Sequence, residues 1–463
     1  MEMKNKKTLL FYTMNSLSWL FLIFMPVEHA FMFIVLTFAL SGWALGAWPQ
    51  SLISLGMLLY LEIVGISEFS ESLLGYAQPF VWLLVSTYII AQAFEKTGLG
   101  RRIALLIFSL VKGNTRASIG FILLALVVLS FLIPTGAGRI AMILPVCVGL
   151  IDVVKQHFDH SAYAKSVLLG VTFTSTFMSY ALITGSSSSI YAASTIKMMT
   201  GYQWSYLFWF IVHIPIALIT LVILLLILIW KYPLQLRDWS KGRRYIEEQL
   251  NEMGPMTTDE RKLFLMSILM LIGWMTEPLH GYSVAMIAML TSVISCLPKI
   301  GVQNWQMASK AIDWNVIILF GAAYALANAM QTNGTADWIV AGLADYLPAN
   351  EPFLAAVVMT VLVTIFRIGF ANMLGVTAVF LPLAISLANA LNINPIWLAQ
   401  LVIIACSFGY FLPTQSPANL MTYSLGEYTK IDLFAVGIVL FFVTFPVILL
   451  FSFIYWPLIG LQP

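Results

Sequence analysis

The sequence predicts an all-helical integral membrane protein, about 11 transmembrane helices plus two re-entrant hairpins arranged in two inverted repeats. Three observations predict it. Of the 463 residues, 60% are hydrophobic and only 10% charged, whereas soluble globular chains carry about 25% charged residues. Segments in the second half repeat segments of the first half in the same order. Two apolar stretches are broken by Gly-rich turns at a depth where lipid-exposed irregular backbone is not tolerated. The 44 charged residues cannot cover the surface of a soluble chain of this size, so lipid covers the exterior, which excludes soluble enzymes and nucleic-acid binders.

A bilayer core about 30 Å thick takes about 20 apolar residues per helix. Runs of that kind begin near Leu9, Val27, Gln50, Gln78, Ile119, Lys165 and Trp204. The segment from Leu236 to Arg261 then holds 11 of the 44 charges, Arg237 and Asp238 among them, and reads as a linker outside the membrane. Apolar runs resume near Lys262, Ser283, Trp314, Pro352, Leu374, Pro395 and Ile431. The organisation expected is N-terminal scaffold helices over 1–77, a first repeat over 78–235, the linker over 236–261, second scaffold helices over 262–313 and a second repeat over 314–463. Cys147, Cys296 and Cys406 are far apart in apolar runs and have no metal or disulfide spacing.

The repeat is read from three pairs. YIIAQAFEKTG from Tyr88 matches YALANAMQTNG from Tyr324; ILPV from Ile143 matches FLPL from Phe380; TGSSSSIYAAS from Thr184 matches TQSPANLMTYS from Thr414. Internal repeats of this kind are a signature of transporter folds.

Each repeat has one hairpin and one broken helix. The first hairpin (118–154) turns at PTGAGR, Pro134 to Arg139, with its tip at Thr135 to Gly138 and Lys or Arg at both ends, so it enters from and returns to the basic, cytoplasmic face. The second (352–390) turns at RIGFANMLG and has no basic flank, so it enters from the opposite face. With the N-terminus and linker cytoplasmic and the C-terminus extracytoplasmic, 20 of the 23 Lys and Arg lie on the cytoplasmic side; only Lys197 lies outside and Arg139 and Arg367 lie within the hairpins. The broken helices (165–201 and 396–425) are interrupted at Gly185 to Ser189 and Thr414 to Asn419.

Half-helices that start inside a membrane expose free N–H groups and the positive dipole end, which suit an anion, while hydroxyls and loose carbonyls suit Na+. The tips and breaks are therefore expected to meet at one site near the bilayer midplane. The substrate-binding candidates are Thr135, Gly136, Arg139, Ser187, Ser188, Asn372, Ser416, Pro417 and Asn419, with Arg139 as a bidentate guanidinium for a carboxylate or sulfate. By the repeat alignment Arg139 matches Val376 and Arg367 matches Ser130, so the two arginines are not mates in sequence. Asp313 reads as a helix-end residue. No cluster of His, Asp or Glu and no HExxH stands in the apolar runs, so an embedded enzyme is not expected.

NLMTYSLGEYTKIDLFAVG, from Asn419 to Gly437, resembles the end of the second repeat in the divalent anion:sodium symporter family, and the hairpin pattern before ILPV and FLPL is similar too. The resemblance implies a homodimeric elevator transporter of the cell membrane for di- or tricarboxylates or sulfate, with no cofactor other than Na+ as coupling ion. It implies Na+ ligands at the tips and adjoining breaks, here Thr135, Gly136, Gly185, Ser189, Ala371, Asn372 and Ala418. The family carries Ser-Asn-Thr at both tips; here they read Thr135-Gly136-Ala137 and Asn372-Met373-Leu374, and Ser189 stands where Asn is usual, so weaker or fewer Na+ sites, down to pure anion exchange, are expected. A proton-coupled carrier, an inorganic-anion carrier, and a channel or sensor are the alternatives.

Overall fold

The computed structural model describes residues 2–112, 114–133, 135–155, 161–234, 239–344 and 346–463. Pro134 of the first tip and Arg237 and Asp238 of the linker lie outside the described residues. Helices make up the described elements, and no strand is present among the described residues. Among the described residues seven helices are long and apolar enough to cross a membrane, three of them hairpin arms; the eleven crossings expected from sequence also count shorter apolar helices such as Gln50–Ile63 and Val284–Cys296 and take each broken helix as one.

The hairpins and breaks form because their punctuation is local. The first hairpin has arms Thr115–Leu132 and Gly136–Lys155, the second Pro352–Arg367 and Met373–Ala390. Each second arm opens on a side-chain cap: Thr135 Oγ1 accepts from the N–H of Gly138 at 3.2 Å, and Asn372 Oδ1 from that of Gly375 at 3.0 Å. Both pairs are repeat mates in the register that sets Pro145 against Pro382. The broken helices have arms Ser161–Ala181 with Ser187–Thr200, and Pro395–Cys406 with Pro417–Tyr423. Here too the caps are mates, Ser186 accepting from the N–H of Ser189 at 3.2 Å and Ser416 from that of Asn419 at 3.0 Å.

The two hairpins approach from opposite ends of the last helix, Lys430–Leu458. Near its start, Lys155 at the base of the first hairpin pairs with Glu427 at 3.8 Å, and Lys165 with Asp432 at 3.1 Å. Near its end, Phe353 at the base of the second hairpin meets Phe453 with ring centroids 5.9 Å apart, and Trp397 donates to the Ser452 carbonyl at 2.9 Å. Opposite approach is what inverted repeats require.

The helix Pro79–Thr97 and its mate Trp314–Thr332 each lead through a left-handed glycine, Gly98 at φ 75° and Gly334 at φ 72°, into a short helix, Leu99–Ser109 or Thr335–Ala344. A Cβ is disfavoured in that conformation. The first of these helices is tied to the linker by Arg102, whose guanidinium reaches Glu260 at 2.7 Å and the carbonyls of Gly254 and Met253 at 2.9 and 3.2 Å. The second is tied to the N-terminal helices through His29 and Thr335, 3.0 Å apart.

The last helix also seats the second break. A Cβ at Gly437 would lie 2.0 Å from the Tyr410 carbonyl oxygen. Gly437→Ala must therefore push the helix off the break, at a cost of about 1–3 kcal/mol as for an overpacked core site; a lowered midpoint in thermal unfolding checks this, and an unchanged midpoint refutes the close seating.

Candidate functional site

Two apolar helices, two hairpin tips and two helix breaks enclose a cavity of about 270 Å³. From the first tip come Thr135, Gly136 and Ala137, from the second Asn372, Met373 and Leu374. The first break supplies Ser186, Ser187 and Ser188, the second Ser416, Pro417 and Ala418. Leu84, Val316 and Leu319 supply apolar wall from the helices Pro79–Thr97 and Trp314–Thr332. Ligand pockets run roughly 300–1,000 Å³, so this one suits a small molecule.

Of the sequence-derived candidates, Thr135, Gly136, Ser187, Ser188, Asn372, Ser416, Pro417 and Ala418 are brought together in the lining. Arg139, Gly185, Ser189, Ala371 and Asn419 are not, and four of the five are turned to structural work behind the wall. Ser189 is fully buried and its hydroxyl donates to the Ser179 carbonyl at 2.6 Å. Asn419 is likewise buried, donating to the carbonyls of Gly409 and Leu412 at 2.8 and 3.2 Å and accepting from Ser416 Oγ at 2.7 Å. Gly185 packs so closely that a Cβ would sit 2.2 Å from the Met178 carbonyl oxygen. Ala371 is exposed at the second tip beside its lining neighbours.

Arg139 has no exposed surface. Its Nη1 donates to the Ile133 carbonyl, and its Nη2 to the carbonyls of Ser175 and Gly185, each at 3.3 Å. Arg139 is therefore not presented to a ligand as the sequence led one to expect: packing sets three backbone oxygens within its reach, and its guanidinium is spent on them. Arg367 does line the cavity, yet it too is 1% exposed and donates to carbonyls, through Nε to Cys406 at 2.9 Å, Nη1 to Phe370 at 2.5 Å and Nη2 to Gln415 at 2.6 Å.

Sequence reasoning missed other lining residues. Ser175, Thr176 and Ser179 border the cavity from the first broken helix; the hydroxyl-rich stretch Thr172 to Ser179, unusual in an apolar run, was the signal available. Tyr88 and Asp313 line it from the two repeat-related helices. Asp313 does cap a helix, Oδ1 accepting from the N–H of Asn315 at 3.1 Å, but that role leaves its carboxylate on the cavity.

The described residues contain no group of three or more His, Cys, Asp or Glu that could hold a metal ion. The polar lining is instead hydroxyls, an amide, a guanidinium, the single carboxylate of Asp313 and the starts of helices.

A family model described as the sodium:sulfate symporter transmembrane region matches residues 8–462. The chain belongs to this family, the divalent anion:sodium symporters. It is a multi-pass membrane transporter. A protein of Staphylococcus saprophyticus named sodium-dependent dicarboxylate transporter SdcS is 24% identical over 86% of the chain and 80% of its own length. A membrane protein of Cupriavidus necator is 24% identical over 84% of the chain and 77% of its own length. A transporter of Haemophilus influenzae is 23% identical over 91% of both chains.

Proposed function

We propose that this transporter carries a small divalent organic anion, a di- or tricarboxylate, as a secondary active carrier. The observation that supports the reading best is the convergence of both tips and both breaks on one small cavity that combines hydroxyls with Arg367. Three helices of more than two turns begin at its wall, at Gly136, Ser187 and Met373, and helix starts favour negative charge. SdcS is by name a dicarboxylate carrier, which agrees with the proposal. Sulfate is the second reading, favoured by the family's description.

In this reading the hairpins and broken helices move as one body past a static scaffold built from helices such as Val27–Leu45, Gln50–Ile63, Thr258–Met275 and Val284–Cys296, in a homodimer of the cell membrane. The N-terminus is then cytoplasmic and the C-terminus extracytoplasmic. The test is a thermal-shift panel of succinate, citrate, sulfate and phosphate on the purified full chain, with and without Na+, because a ligand bound only by the folded state raises its stability. Succinate or citrate is expected to stabilise, and to accumulate against its gradient in proteoliposomes. Stabilisation by none of the four anions refutes the proposal, and downhill flux without accumulation favours a channel.

Asp313 is the acidic side chain on the wall among the described lining residues. A carboxylate there opposes a dianion, so Asp313→Asn is expected to tighten succinate binding by roughly three- to tenfold, about 0.7–1.4 kcal/mol, the scale of a charge pair about 4 Å apart screened as in bulk water. Titrations of the thermal shift check this; weaker binding in the variant means that Asp313 holds ligand instead of repelling it.

A further inference from the structure

We propose that the guanidinium groups of Arg139 and Arg367 are resident cations that stand where a coupling Na+ would bind, one in each repeat, so that the anion is carried without Na+ at either position. The inference rests on the function proposed above and concerns only how that transport is coupled.

The geometry of the carbonyls carries it. Pro145 and Pro382 fix the register of the hairpins, and in that register Ile133 is the mate of Phe370. Ser186 and Ser416, which cap the two half-helices in the same way, fix the register of the breaks, and there Gly185 is the mate of Gln415. Arg139 donates to Ile133 and Gly185. Arg367 donates to Phe370 and Gln415. Each guanidinium therefore joins the same tip carbonyl to the same break carbonyl of its own repeat, and each adds a third carbonyl from the arm before the break, Ser175 or Cys406.

The arginines reach these equivalent positions from places that are not equivalent. Arg139 is in the first turn of a second hairpin arm, while Arg367 is the last residue of a first arm. Inheritance of one arginine by duplication does not give this arrangement. What the two repeats share is a cage of backbone oxygens that holds one positive charge, filled twice by different routes.

That cage is the oxygen set a Na+ between tip and break would need, since hard cations take carbonyl oxygens. Its oxygens are committed: the carbonyls of Ile133, Gly185, Phe370 and Gln415 already receive guanidinium N–H groups. Among the candidate Na+ ligands, the Ser189 hydroxyl donates to a carbonyl, and Asn372 accepts at Oδ1 from the Gly375 N–H at 3.0 Å while its Nδ2 donates to Gln50 at 2.9 Å. No carboxylate lies within salt-bridge distance of either guanidinium among the described residues. A buried charge normally needs a partner; here three carbonyl dipoles serve, as they do for a bound metal cation. The fixed charge of Arg367 also stands on the cavity wall, opposite in sign to the Asp313 carboxylate, without a second ion.

The test uses the purified full chain. In thermal unfolding at equal ionic strength, the unliganded wild type is expected to show the same midpoint in NaCl and choline chloride. Arg139→Ala and Arg367→Ala are expected to unfold earlier and to regain stability with added Na+ or millimolar guanidinium ion. In proteoliposomes, wild-type succinate exchange should differ by no more than about twofold between Na+ and choline, against the roughly 5- to 150-fold of linked sites. A saturable Na+-specific stabilisation of the wild type, or succinate uptake that rises steeply with external Na+, overturns the proposal. The wild-type midpoint decides even where a variant does not fold. It needs no substrate, so a protein indifferent to both Na+ and succinate refutes the transport reading and leaves the cation assignment intact.

Discussion

Asn419→Ala is expected to abolish ligand-induced stabilisation and transport while the protein still inserts and purifies as a folded species. The Asn419 amide holds the second break closed through two donated bonds, to the carbonyls of Gly409 and Leu412, and one accepted from the Ser416 hydroxyl. Ser416 and Gly409 both line the cavity. Alanine leaves buried carbonyls unpaired, at about 1–3 kcal/mol each, and frees the loop that shapes one wall. The expected global loss is about 2–4 kcal/mol, small beside the effect on a site that needs its walls in place. Asn419→Asp is a sharper control, because a carboxylate keeps the size and the acceptor but cannot donate to the two carbonyls. Succinate-dependent thermal shifts that persist in both variants would show that the break tolerates loosening.

Glu260→Ala is expected to lower the stability of the fold substantially while leaving the cavity intact. Glu260 is 1% exposed, accepts from Arg102 and closes a capping box with Thr257, whose N–H donates to it at 2.7 Å. Removing one partner of a buried ion pair costs about 3–5 kcal/mol because the other charge stays buried. Arg102 keeps the carbonyls of Met253 and Gly254, which places this case near 3 kcal/mol, at the low end of that range. Glu260→Gln should lose less, since an amide oxygen still accepts from Arg102. Equal midpoints for wild type and Glu260→Ala in thermal unfolding would show the pair to be dispensable. The cavity is remote from this pair in sequence and lining, so succinate should still stabilise whichever variant folds.

The tips and breaks were legible in the sequence because their signals are local. Gly, Ser and Pro at Thr135 to Gly138, Gly185 to Ser189 and Thr414 to Asn419 stop helices wherever they occur, and the flanking charges told the hairpins apart. Tyr88, Asp313 and the Thr176 and Ser179 hydroxyls were not legible as site residues, because each has an ordinary local reading: a helical tyrosine, a helix cap, hydroxyls that bond their own helix. Their place on the cavity depends on which elements lie opposite them.

The arginines mark the boundary between the two kinds of information most clearly. Composition and repeat established by themselves that the chain is a helical membrane protein in two related halves, with one arginine at the turn of each hairpin, since hydrophobicity, periodicity and breaker residues act over a few neighbouring residues. They also established that Arg139 and Arg367 are not mates in sequence. Only the tertiary structure decided where those charges point, because a long side chain takes its partners from whatever packing brings within reach. It turned both guanidinium groups onto matching carbonyls, where three backbone dipoles meet at a helix break and no single segment of the chain supplies all three.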